Sequence, residues 1–139
     1  MIELDNRTSL EVNETFLNTI AKTLTNKEIE LIITSNEEIQ SINKEYRHID
    51  KATDVLSFPY EDMPMAPLGS IMISSSFVEL KAKELGHKQS DELTLLFIHG
   101  LLHLLGFDHE VDKGEMREEE AKLINKFDLP QSLIIRTQD

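Results

Sequence analysis

The run HGLLHLLGFDH, from His99 to His109, restricts this chain more than any other stretch of it. It belongs to a longer segment, Leu93 to Leu105, in which only Thr94, His99, Gly100 and His103 interrupt the large apolar side chains. Such a segment is too short and too polar to span a bilayer, so it reads as a helix buried in a core. Two histidines sit four residues apart within it. On a helix that spacing puts both side chains on one face, with Cβ atoms about 5–6 Å from each other. Imidazoles so placed can converge on one cation, at about 2.0–2.1 Å per bond for zinc. Continuing the helix to His109 would carry it roughly 15 Å along the axis from His99. Gly106 removes that obstacle. Glycine takes the left-handed conformation that ends a helix, and Phe107, Asp108 and His109 can then fold back across the last turn.

A single histidine on an apolar face is ordinarily a hydrogen-bonded core residue, and either His99 or His103 alone would be read that way. Three histidines with a glycine between the second and third are read as metal ligands: His99, His103 and His109. The chain has no cysteine, so disulfides and thiolate ligation are excluded and nitrogen and oxygen must hold any metal. Zinc is favoured by an imidazole set, with other divalent ions possible. Three protein ligands leave a fourth position to water, as in catalytic sites. The spacing is that of the metzincin peptidases, in which the residue after the first histidine is a glutamate acting as general base. Here that residue is Gly100, so the ligand frame is present and the peptidase base is absent. Asp108 reads equally as a carboxylate orienting an imidazole and as a turn residue. His48 and His87 have no partner at ligand spacing and read as surface residues.

The 139 residues, 40% apolar, suit one domain spanning 1–139. Capping boxes at Thr8…Glu11, Ser35…Glu38 and Ser76…Glu79 predict helices over 9–24, 36–46 and 76–85, the last stopped by Gly86. Short apolar or β-branched runs predict strands over 28–34, 53–58 and 68–74, with a weaker one at the start, and prolines make 59–67 a loop. A helix over 91–105 carries the histidines, and 113–127 reads as a last amphipathic helix. The expectation is α+β: a small mixed β-sheet of about four strands packed with about five helices. The opening residues show no basic and apolar leader, so the expected location is cytoplasmic, with no membrane partner. Formal net charge is −12, which disfavours tight, non-specific binding to polyanions. The charge is uneven. Asp108 to Glu120 holds seven acidic residues against two basic ones, read as a solvated helix face, whereas Lys44 to Asp54 holds three of each.

HGLLHLLGFDHE, taken with Arg47 and the downstream TDVLSFP, resembles the YbeY family of bacterial endoribonucleases. The likeness runs from ELIIT through NKEYRHIDKATDVLSFP and LGSIMIS to GEMREEEAKLI, and so covers most of the chain. It implies a small α+β protein with a zinc site made by His99, His103 and His109. The implied activity is metal-dependent, single-strand-specific RNA cleavage in the maturation of the 3′ end of small-subunit ribosomal RNA and in ribosome quality control. Implied partners are ribosomal RNA and the ribosome or its proteins. Arg47 corresponds to the family's functionally important arginine. Two positions depart from the family: Ser70 stands where it commonly has an aspartate, and Phe107 where it has a tyrosine. No role is assigned to Ser70.

On the residues alone, Arg47 reads as a helix-end salt bridge with Asp50 or Asp54. The resemblance favours a phosphate contact instead, for which a guanidinium is suited by its bidentate geometry. Asp54 either orients Arg47 or caps a turn. Val55, Leu56 and Phe58 read as core. Tyr46 offers a ring on which an unpaired base could stack. Two rival functions stand beside the ribonuclease. One is a zinc hydrolase of another class, a peptidase or amidase using Glu110 or Glu61 as base. The other is a non-catalytic, metal-stabilised factor associated with the ribosome.

Overall fold

The computed structural model describes residues 1–61, 63–107 and 114–131. Nine elements follow in order: β1 (Ile2–Asn6), α1 (Glu14–Lys22), β2 (Ile29–Thr34), α2 (Asn36–Arg47), β3 (Val55–Pro59), β4 (Gly69–Ser74), α3 (Ser75–Leu85), α4 (Gln89–Leu104) and α5 (Glu115–Lys126). The strands form one sheet in the order β1-β2-β4-β3. β1, β2 and β4 run parallel, and β3 is antiparallel to β4, with Ser57 opposite Ile71. The four-stranded mixed sheet with five helices is the α+β architecture expected from the sequence.

Both faces of the sheet are covered, and the alternation of strand side chains divides the core accordingly. Ile29, Leu31, Ile33, Ile71 and Ile73 pack with Leu17 and Ala21 of α1 and with Leu93, Phe97, Leu101 and Leu104 of α4. Met72 and Leu56 project to the opposite face and meet Ile39 of α2. β4 is buried along its whole length. A third cluster lies on the far side of α4, where Leu95, Ile98 and Leu102 meet Ile20 of α1 and Met116, Leu123 and Ile124 of α5. α4 is therefore wrapped on nearly all sides, as an all-round apolar helix must be.

Several boundaries differ from expectation. α1 begins at Glu14, because Asn13 rather than Thr8 is its N-cap and accepts a hydrogen bond from the Phe16 amide. Thr8 instead accepts from the Leu10 amide, two residues on, within a turn organised by Asn6. α3 is capped by Ser74, two residues before Ser76, which lets the helix leave directly from the end of β4. Ser35 caps α2 as its box predicts, but the Glu38 carboxylate is engaged by Thr34 and Arg7. Pro59 belongs to β3, an edge strand, where a missing amide is tolerated. Of the residues read as β3 core, Leu56 is buried, whereas Val55 and Phe58 are only half-buried because the edge strand lacks an outer neighbour.

Candidate functional site

Between Glu92 and Leu104 every residue of α4 is buried except His99 and His103. The two histidines form the one partly exposed stripe of this part of the helix. Their rings stand nearly perpendicular, at 78°, with centroids 4.7 Å apart. The two Nε2 atoms approach to 3.1 Å. A tetrahedral zinc with bonds of about 2.0–2.1 Å separates neighbouring donors by about 3.3–3.4 Å. The pair therefore lies close to the spacing of two corners of such a site. His99 Nδ1, on the other side of its ring, lies 3.0 Å from Oε1 of the buried Glu120 on α5. Sequence reasoning missed Glu120. It sits 21 residues away on a helix whose acidic residues read as a solvated face, and only helix packing turns this one inward.

Gly106 ends α4 as the sequence predicts, at φ 100°. The Gly106 amide donates to the His103 carbonyl and the Phe107 amide to the Leu102 carbonyl, each at 3.0 Å. These are the two bonds of a Schellman closure, and Phe107 packs on the cluster that contains Leu102. The chain is thus turned back immediately before Asp108, His109 and Glu110, which lie outside the described residues. Among the described residues no group of three or more His, Cys, Asp or Glu side chains forms a metal cluster.

Gly100, read from sequence as a missing base, faces the sheet. A Cβ there would meet Ile71 Cγ2 at 2.8 Å and Ser57 Oγ at 3.2 Å. The Ser57 hydroxyl donates to the Gly100 carbonyl at 3.2 Å. This position has room for no side chain, so a glutamate is excluded by packing and not merely absent. Glu61, the other described candidate base, borders a separate groove with Tyr60, Pro67 and Leu105.

Arg47 is brought to the histidines. It lines, with Asp54, Ser57, His99, His103 and Phe107, one cleft of about 500 Å³. Asn43, buried one turn earlier on α2, anchors the turn that follows by donating from Nδ2 to the Lys51 carbonyl at 3.0 Å. His48 ends the helix in the left-handed conformation, φ 60°, and directs the chain toward β3. Asp50 pairs with Gln40 and Lys44. Asp54 caps the start of β3, accepting from the Val55 amide at 2.8 Å and the Thr53 hydroxyl at 3.3 Å. Tyr46, 64% exposed, packs edge-to-face with Phe58 at a centroid distance of 5.9 Å. Ser70 lies in the strand alternation with Met72, on the face away from α4. His87 corrects the surface reading: its side chain is buried, with Nε2 2.9 Å from Glu92 Oε1. The contact joins the residue after the Gly86 cap of α3 to the first turn of α4. His48 is exposed as expected.

Comparison with known proteins places the chain in a family. A family model described as Endoribonuclease YbeY matches residues 2–128. The protein of that name from Sulfurimonas denitrificans is 64% identical over 138 residues, 99% of each chain. One from Helicobacter pylori is 53% identical over 140 residues, 100% of both chains. A Thermotoga maritima protein with a known solution structure superposes with a TM-score of 0.60 at 28% identity, covering 91% of this chain and 89% of its own.

Proposed function

The chain belongs to the Endoribonuclease YbeY family, and on that premise we propose that it is a metal-dependent endoribonuclease specific for unpaired RNA. Its proposed role is maturation of the 3′ end of small-subunit ribosomal RNA and quality control of assembled ribosomes. One observation carries the reading: Arg47, from α2, opens onto the same cleft as the converging Nε2 atoms of His99 and His103, from α4. His99 and His103 hold the ion together with His109, which completes the proposed set. When bound, zinc or another divalent ion supplies Lewis acidity toward a phosphoryl oxygen and activation of water.

The remaining work falls to this chain's own groups. Arg47 holds the phosphate and meets the charge that develops on its oxygens, a role in which one well-placed donor contributes about 10²–10³ in rate. Phe107 and the β3 edge shape the wall. The cleft volume of about 500 Å³ admits an unstacked nucleotide, which supports a preference for unpaired RNA. Acidity sets the affinity: at a net charge of −12 the chain holds naked RNA weakly, and a ribosomal partner delivers the substrate. Gly100 disfavours a peptidase, because packing denies that position to a base.

The deciding experiment incubates metal-quantified protein with unpaired and duplex RNA, beside the His103→Ala and Arg47→Ala variants. Cleavage of the unpaired strand is expected, with His103→Ala losing both metal and activity. Arg47→Ala keeps its metal and loses about 10²–10³ in rate. Cleavage that survives chelation, or an unimpaired Arg47→Ala, would overturn the assignment. A cyclic phosphate on the product would identify the RNA 2′-hydroxyl as the nucleophile and exclude water.

A further inference from the structure

Each histidine that presents Nε2 to a cation must carry its proton on Nδ1, and the partner of that proton fixes tautomer and ring angle together. In His99 the Nδ1 partner is Glu120, at 3.0 Å. Glu120 is 3% exposed and lies on α5, between Met116 and the Leu123–Ile124 pair that bury against α4. A carboxylate buried in such surroundings needs a hydrogen-bond donor. The imidazole N–H supplies one.

We infer that Glu120 is the positioning residue of the metal centre: it accepts the Nδ1 proton of His99 and thereby aims a bare Nε2 lone pair into the cleft. The inference rests on the metal reading above and adds a residue to it. For neutral rings, the short contact between the histidines then has one direction. His103 Nε2–H donates to His99 Nε2, and His99 Nδ1–H donates to Glu120. His99 is preset as a ligand before metal arrives, whereas His103 must first move its proton from Nε2 to Nδ1. The two histidines, alike in sequence, are unequal ligands. Because the carboxylate comes from α5, the site also ties that helix to α4.

The test measures zinc affinity by chelator competition and the His99 tautomer by imidazole nitrogen shifts in the metal-free protein. It uses the wild type, Glu120→Ala, Glu120→Gln and His103→Ala. Glu120→Ala is expected to weaken zinc by about 10–100-fold, the usual effect of removing such a partner, and to shift the metal-free His99 proton toward Nε2. Glu120→Gln nearly preserves volume, so it folds even where the alanine variant does not. It is expected to lose about tenfold, near the lower end of that range, since its carbonyl accepts the proton without charge. Wild-type affinity in every folded Glu120 variant, beside a loss in His103→Ala, would overturn this inference alone, even if their metal-free melting temperatures fell. Equal zinc binding by wild type and His103→Ala would overturn the metal reading beneath it.

Discussion

Two glycines six residues apart serve the histidine motif for opposite reasons. Gly106 has room for a Cβ, with no described atom within 4 Å of where one would stand, yet its φ of 100° belongs to a conformation that L side chains rarely adopt. Gly100 has no such φ and is required by its neighbours, Ile71 and Ser57. Alanine at 100 gains about 1 kcal/mol of helix propensity and loses about 1–3 kcal/mol to overpacking. Gly100→Ala should therefore lower the melting temperature by a few degrees and cut activity by prising α4 from β3. A higher melting temperature with full activity would refute the packing argument. The sequence exposed the Gly106 requirement, because chain reversal between the second and third histidines needs it. It hid that of Gly100, since the atoms that crowd it come from strands 29 and 43 positions upstream.

At the scale of elements, the site is a meeting of three helices and an edge strand. α4 presents the imidazoles on its partly exposed stripe, the last turn of α2 brings Arg47, and α5 supplies Glu120. The Schellman closure at Gly106 governs where the chain goes after α4. Placing alanine there costs about 1–2 kcal/mol for the left-handed conformation alone. Gly106→Ala should lower zinc affinity while leaving α4 helical by circular dichroism. Unchanged affinity would show that the closure does not direct the third ligand. Periodicity made α4 and α5 legible to within two residues, and the box at Ser35 located α2. The Thr8 box failed because Asn6 draws Thr8 into a turn by accepting from its amide and hydroxyl, and Asn13 takes the cap by accepting from the Phe16 amide.

Taken whole, the molecule is an acidic body with a single Arg or Lys among the described residues of its cleft, Arg47. An RNA contact dominated by one phosphate should show a shallow salt dependence, near −0.7 in log K against log salt for a single strand. Arg47→Ala should flatten it, and a slope of several units would place the RNA elsewhere on the surface. No described helix is long and apolar enough to cross a membrane. From its order of residues this chain determines the α+β class, the buried histidine helix, the glycine that ends it and the resemblance that pointed to Arg47. These are written in spacing, capping and motif, which act over a few residues and need no partner. Tertiary packing alone decided that Arg47 and the histidines share a cleft, that Glu120 backs His99, that His87 is buried and that Gly100 admits no side chain. Those outcomes depend on which faces meet across the sheet and between helices, and local sequence carries no measure of that distance.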